Sequence, residues 1–570
     1  MSTATLPAAQ AAEIDRALRE LTAGVAAWTG AGLGERRRLL GQVHAATGEH
    51  ARAWVRAAAA YKQLPAGSEL LGEEWTSGPY AVLTGAAVLG QSIAALEAGR
   101  SPVDGYRFGT APGGRTTVKV LPHGIWDKLL LSGFTAEVWM PPGVSQDQIR
   151  ENAGLALRNP GGPGGVGVVL GAGNITSIPV LDVLYELYAN NRVALLKLNP
   201  VTDGLFDAFS AVLKPLIDFG VVRIVKGGAD VGTYLVHHAQ VDHVHMTGSA
   251  LTHDAIVWGT GDEAAKRKAA GTPLLDKPIT SELGGVSPTI VVPGRWSTAD
   301  LRFQAEHVVT QKLHNGGYNC IASQVVVVSS DWPQKDAFLK ELRAVLAAAP
   351  ARPAYYPGSD ARVAQACEAY PDAEQIGGRV LVSGLDETDS GPALTTEYFG
   401  PVLGVLELPG DAERFLAAAV RTANEKFTGT LGANVIAHPG TIKALGAGFE
   451  HAIADLRYGT VTINAWTGVG YLTAAATWGA FPGHTPADVQ SGIGVVHNAV
   501  LLASPERTVL RGPFRPAPRA LVHGELTMSP VPPWFVTNKT AATTGRRLVE
   551  FAARPRWSAL PGVFWSAIRG

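Results

Sequence analysis

The residue best equipped for covalent chemistry is Cys320, in the run His314-Asn-Gly-Gly-Tyr-Asn-Cys-Ile-Ala-Ser-Gln-Val-Val-Val-Val328. A glycine-rich bend precedes it and a valine-rich strand follows, so the thiol stands at an element boundary where a ligand can approach the backbone. A thiol of pKa about 8.5 is only slightly ionised at neutral pH, and a nucleophilic role needs a base or dipole beside it. The bland alternative is an inert thiol packed in a core. Cys367, in the helical, glycine-free stretch Val363-Ala-Gln-Ala-Cys-Glu-Ala, reads as non-functional.

Three other segments carry groups such a thiol could use. Thr280-Ser-Glu282-Leu-Gly-Gly-Val-Ser-Pro288 follows an apolar stretch, and burial would raise the carboxyl pKa of Glu282 and suit it to general base work. The same Glu could simply sit exposed in a turn. In Val168-Val-Leu-Gly-Ala-Gly-Asn174-Ile-Thr-Ser-Ile-Pro179 a strand gives way to a helix, and the Asn174 amide is either a donor to a developing oxyanion or a helix cap. His245-Met-Thr247-Gly248-Ser249 ends another strand before a helix, where backbone N–H groups and a hydroxyl suit a pyrophosphate; an N-cap serine is the alternative. The glycines from Gly161 to Gly173 are not a dinucleotide fingerprint. Gly165-Val-Gly-Val-Val-Leu170 ends in Leu and leads into a strand.

The elements that must position these groups alternate. Between residues 158 and 290, short apolar runs (Val166 to Leu170, Val193 to Leu198, Val221 to Val225, His243 to Met246) are separated by helical patterns (Ile178 to Asn190, Leu205 to Phe219, Val231 to Ala239). That order predicts a parallel sheet with helices on both faces. A second α/β pattern runs from about 290 to 480, with a strand at Gln324 to Val328 and helices at Gln334 to Ala348 and Asp411 to Ala423. Residues 1 to about 100 read as helical, and the stretches 117–121 and 136–140 as strands of an arm.

Composition bounds the answer. At 570 residues, two or three domains are expected. The net charge of -1 gives no general attraction to nucleic acid. The apolar run near Val166 to Leu187 is broken by Asn174, Asp182 and Glu186, so a transmembrane helix is not expected, and the N-terminus lacks the layout of a secretory signal. With two cysteines, neither a disulfide framework nor a Cys-rich zinc site fits, and a cytoplasmic setting is expected.

Taken in order, Gly-Asn174, Leu-Leu-Lys197, Gly-Gly-Ala-Asp-Val-Gly232, His-Met-Thr247-Gly248-Ser249, Glu282-Leu-Gly-Gly, Gly-Tyr-Asn-Cys320, Glu397-Tyr-Phe399-Gly-Pro and Gly459-Thr-Val-Thr-Ile-Asn464 resemble the aldehyde dehydrogenase superfamily over about residues 150 to 500. The resemblance implies a Rossmann-like cofactor domain (residues 1–115 and 151–283), a β-arm for oligomerisation (116–150), a second α/β catalytic domain (284–490), and an oligomerisation strand followed by a basic, aromatic extension (491–570). It implies oxidation of a small-molecule aldehyde to an acid with NAD or NADP. Cys320 would be the nucleophile, Glu282 the base for thioester hydrolysis, and Asn174 the oxyanion donor. Lys197, Gly232, Thr247, Gly248, Ser249, Leu283, Glu397 and Phe399 would hold the cofactor, with no metal. A homodimer or homotetramer is also implied, with strands near 117–140 and 493–497 pairing across subunits. Coenzyme A-acylating relatives and a non-catalytic structural relative are the rivals. Retention of Glu282, which acylating relatives often lack, favours hydrolysis.

The chain departs from the family pattern in three places. Leu198-Asn199-Pro200 follows Lys197 where an acid usually engages the adenosine ribose, which makes NADP plausible. The block from Trp478 to Gly494 is stretched, so the resemblance does not define the substrate tunnel mouth. Beyond residue 500 the acidic residues are Glu506, Glu525 and Glu550, while basic residues recur from Arg507 through Arg519 to Arg569 among Trp534, Trp557 and Trp565. This extension is expected to cover the chain's own body or a neighbouring subunit, or else to touch an anionic membrane surface.

Overall fold

The computed structural model describes residues 6–516 and 530–570, so Arg519 and Glu525 lie outside the described residues. Two sheets organise it. The smaller, six-stranded sheet runs in space through Gly492–Ile493, Ile279–Leu283, His243–Gly248, Val166–Leu170, Val193–Lys197 and Val222–Val225. All its pairings are parallel except the two-residue strand at the edge. The valine- and leucine-rich runs are buried on both faces, as parallel strands covered by helices must be. Helices Ile178–Tyr188 and Phe206–Asp218 lie where the apolar periodicity predicts them.

Val166–Leu170 is central: the chain builds outward from it on one side, then crosses to its other side with His243–Gly248. This reversal is a topological switch point, where loops leaving the carboxyl ends of adjacent strands part and open a crevice for a ligand. Asn174 and Gly248-Ser249 sit on those two loops.

The larger sheet has eleven strands. Its parallel centre contains Ser287–Val291, Ser323–Ser329, Val402–Leu408, Gly432–Ile436 and Thr460–Ile463. One end continues through the arm, Arg107–Ala111, Arg115–Leu121 and Thr135–Trp139, joined antiparallel. The strand linking arm to centre is Arg507–Arg511, from the extension. It pairs parallel with Thr460–Ile463 and antiparallel with Thr135–Trp139 of the same chain. The inner edge of the arm is thus filled from within, while Gly492–Ile493 pairs with Ile279–Leu283.

The extension then lies over the chain's own body. Helix Ala541–Ala553 packs against Leu71–Trp75, the turn after it and helix Leu33–Tyr61. Arg511 pairs with Glu450 at 2.6 Å and Arg515 with Asp300 at 3.3 Å, so these cations of the basic tail meet acids of the catalytic half.

Within the helical N-terminal region, Leu71–Glu97 is long and apolar enough to cross a membrane, and half of its most apolar window is buried inside the fold. It contains a turn with non-helical backbone at Gly78 followed by Pro79, and its later part packs on Leu33–Tyr61. Its apolar character is that of a core helix.

Candidate functional site

Burial brings the sulfur and the carboxylate together. Glu282 lies on strand Ile279–Leu283, 1% exposed, and Cys320 lies between the glycine-rich bend and strand Ser323–Ser329. The Cys320 thiol donates to Glu282 Oε1 at 3.5 Å, and the Trp478 indole N–H donates to the same oxygen at 2.8 Å. Glu282 Oε2 is buried without a partner among the described residues. Burial raises the carboxyl pKa of Glu282 above its ordinary value, outweighing the lowering by His497 and the Trp478 N–H. Burial also pushes the Cys320 thiol well up, reinforced by the carboxylates of Glu282 and Glu397. The resting thiol therefore keeps its proton, with a carboxylate oxygen placed to take it.

A cavity of about 40 Å³ opens onto this pair, lined by Ile175, Ile178, Ile321, Trp466, Tyr471 and Trp478 among others. Its walls are almost wholly apolar.

The bend before Cys320 is built for close approach. Asn315, Gly316 and Gly317 have φ of 56°, 70° and 84°, and a Cβ on Gly317 would lie 2.6 Å from the Gly400 carbonyl oxygen. The bend thus packs onto the segment carrying Glu397 and Phe399, which no side chain at Gly317 would permit. Asn315 ties the bend to a buried ionic cluster absent from the sequence reading. Glu73 accepts from the Asn315 N–H at 3.0 Å and pairs with Arg352, while Lys62 donates to Glu74 at 2.9 Å and to the Asn315 side chain at 3.1 Å. Glu73-Glu74 just before the apolar helix was the available signal, since a paired acid in such a run needs a buried partner.

Asn174 is buried, and its side-chain N–H donates to the Tyr318 carbonyl at 2.8 Å, two residues before the sulfur. The amide has a second N–H to offer. Asn174 is therefore tied to the nucleophile's loop, and it does not cap the following helix.

The other predicted residues lie along the crevice. Lys197 ends strand Val193–Lys197 and is mostly buried, which lowers its pKa. Ser249 accepts from the Thr252 N–H at 3.2 Å and caps helix Ala250–Val257, with Gly248 and Ser249 exposed beside it. Gly232 lies in helix Ala229–Val236 with open space where a side chain would be. Two side chains turn away: the Thr247 hydroxyl faces Asp182 at 3.4 Å, and Leu283 packs with Met246 and Val489, leaving these residues only their backbone for a ligand. Asn199 Oδ1 accepts from the Val201 N–H at 3.1 Å and closes its own turn.

Glu397 is the most unusual group at the site. Its Oε1 is buried without a partner, and burial raises its pKa to about 8 despite Lys312 and the Gly285 N–H. A Cβ on Gly284 would lie 1.9 Å from that oxygen, so Glu-Leu-Gly-Gly reads as a cradle for Glu397. Phe399 stands beside it, its ring 4.8 Å from Tyr356. An unsatisfied carboxylate oxygen, a glycine cradle and an exposed helix N-terminus at a switch point fit a dinucleotide.

The model of the aldehyde dehydrogenase family matches residues 162–480, more than half of the chain. This chain belongs to that family. Among its relatives, the D-glyceraldehyde dehydrogenase (NADP(+)) of Thermoplasma acidophilum is 27% identical over 188 residues, 32% of this chain and 35% of that protein. The N-succinylglutamate 5-semialdehyde dehydrogenase of Sphingopyxis alaskensis is 29% identical over 229 residues, 36% of this chain and 43% of that protein. The chain thus spans less than half the length of these curated relatives. A solved mutant of aldehyde dehydrogenase C from Pseudomonas syringae, complexed with NAD+ and octanal, shares the fold with a TM-score of 0.57 at 19% identity, covering 89% of this chain and 90% of that one. The family match ends at residue 480, before the extension.

Proposed function

We propose that the chain oxidises an aldehyde to a carboxylic acid with NAD or NADP, through a thiohemiacetal and then a thioester on Cys320. The observation that carries this reading is the Cys320 sulfur at 3.5 Å from a buried carboxylate in an apolar cavity. As the sulfur attacks the aldehyde carbon, its proton passes to Glu282, and the carbonyl oxygen becomes an oxyanion facing the Asn174 amide. Such a donor is worth about 10²–10³ in rate. A bound nicotinamide would supply the acceptor for the hydride released as the oxyanion collapses to the thioester. Glu397, Gly248, Ser249, Lys197 and Phe399 are the residues that would hold that cofactor. Glu282, once it has passed that first proton to solvent, takes a proton from water as the water attacks the thioester carbon, and returns it to the departing sulfur, so that the acid leaves and the thiol is restored. The carboxylate retained at 282 favours water over coenzyme A as acceptor. A panel of aldehydes with each cofactor tests the proposal; absence of nucleotide reduction with every aldehyde would remove it.

Finer readings accompany it. With Asn199 in place of an acid, there is no carboxylate at this position to repel a 2′-phosphate, and NADP is used at least as well as NAD; a strong preference for NAD would contradict this. The two cysteines are free thiols, in keeping with a cytoplasmic setting. Peripheral membrane contact is supported by Trp557, Trp565, Ile568 and Ile125, 62%, 64%, 48% and 50% exposed, with Arg554 and Arg556 alongside. Sedimentation with anionic vesicles tests it, and equal recovery without vesicles sinks it. A homodimer or homotetramer would use the outer arm strand Arg107–Ala111, because the inner edge is filled by Arg507–Arg511. A monomeric mass by light scattering would remove that reading.

A further inference from the structure

We infer that the extension builds a second, apolar chamber behind the catalytic pocket, and that this chamber takes the alkyl tail of a long-chain aliphatic aldehyde. The inference rests on the proposed oxidation at Cys320 and names the substrate class for it.

The chamber is a cavity of about 110 Å³, more than twice that at Cys320. Three parts of the chain enclose it. The arm contributes Leu129 to Leu131 and Phe134; the catalytic half contributes Phe303, His307, Val469 and Leu472; the extension contributes Trp534, Phe535, Leu548, Val563, Phe564 and Ala567. Thr76 and Leu472 line both this chamber and the pocket that holds Cys320 and Glu282. A single layer of side chains therefore parts the two spaces, and Leu472 is only half-buried.

The chemistry of the walls selects the ligand. Among the described residues no acid lines the chamber, and burial keeps its two titratable wall residues neutral, lowering the pKa of His307 to about 3 and raising that of Tyr80 to about 12. No cation among the described lining residues would bind a phosphate or a second carboxylate; polar groups such as Ser132, Asn464 and Thr544 interrupt walls that are otherwise aliphatic and aromatic and suit a methylene chain. With the aldehyde carbon at Cys320, the tail would run past Leu472 into the chamber. The residues of the extension fall outside the matched family stretch, so this space is an addition of this chain.

The test uses the full-length protein and straight-chain aldehydes from butanal to dodecanal. The specificity constant should climb roughly three- to fourfold per added methylene until the space is filled, the usual gain for burying a CH₂. Ala567→Trp and Leu129→Trp obstruct the chamber from opposite walls. Each should lower the dodecanal-to-butanal ratio of kcat/KM at least about tenfold, with the thermal midpoint near that of the parent. A direct readout is calorimetry of dodecanoate on Cys320→Ala, with tight binding expected, absent for butyrate and weakened by Ala567→Trp. A flat or falling chain-length profile, or an unchanged ratio in both folded tryptophan variants, overturns the inference. Loss of all aldehyde oxidation with dodecanoate binding intact would keep the chamber and remove the proposed reaction.

Discussion

The two ends of the crevice treat their polar groups in opposite ways. At the nucleotide end, Ser249 caps its own helix, Asn199 closes its own turn, and Thr247 turns to Asp182. At the catalytic end, Glu282 Oε2 and Glu397 Oε1 are buried with no partner among the described residues, and the carboxyl pKa values of both are raised. A buried unsatisfied polar atom costs about 1–3 kcal/mol, so a fold keeps one where a ligand or reaction uses it. The nucleotide end can be built from satisfied backbone geometry, whereas the reacting end stores its unsatisfied groups until substrate and cofactor arrive.

Breaking the catalytic end should therefore cost far more than trimming the other. The largest effect is expected for Cys320→Ala, with dehydrogenase turnover falling to background in steady-state assays while the fold persists by circular dichroism. Glu282→Gln should slow thioester hydrolysis by about 10²–10⁴. Gly284→Ala comes next: its Cβ would meet Glu397 at 1.9 Å, and displacing that carboxylate should raise the KM for the nucleotide about tenfold or more. Ser249→Ala, at the satisfied end, should lose about 1 kcal/mol of stability through its cap and shift the nucleotide KM only a few-fold. A larger KM effect for Ser249→Ala than for Gly284→Ala would invert the comparison.

The pH behaviour separates the same features. The reactive forms of Cys320 and Glu282 are deprotonated and burial raises both pKa values, so kcat should rise with pH through neutrality into the alkaline range. Stability responds on the acid side. His307 and His314, lowered to about 3 and about 4 from 6.5, stay neutral in the fold while the unfolded chain takes up protons below 6.5. Their contribution is complete above pH 6.5 and is lost as pH falls toward 4 and 3. The ring of His307 stacks on Phe535 and is replaceable by Phe; His307→Phe should flatten the acid limb of the thermal midpoint against pH, the smallest effect of this set.

Much of the cofactor half was legible because its signals are local. Apolar runs of strand length and the helical period between them predicted Val166–Leu170, Val193–Lys197 and Ile178–Tyr188 to within a few residues. Glu282 and Cys320, 38 positions apart, came together as the resemblance implied. What the sequence did not reveal depends on distant contacts. Trp478 gives no local sign that it will donate to Glu282, and Lys62 and Glu73 meet Asn315 from 253 and 242 positions away. The extension read as basic and aromatic, but composition could not show Arg507–Arg511 entering the sheet beside the arm, because pairing of strands so far apart is set by tertiary packing.

The most direct test is mass spectrometry of enzyme mixed with aldehyde and cofactor on the rapid-quench timescale. Glu282→Gln should release one burst of reduced nucleotide and accumulate an acyl group on Cys320, while Cys320→Ala should show neither. Wild-type turnover by Cys320→Ala, or acylation at Cys367, would contradict the account at its root.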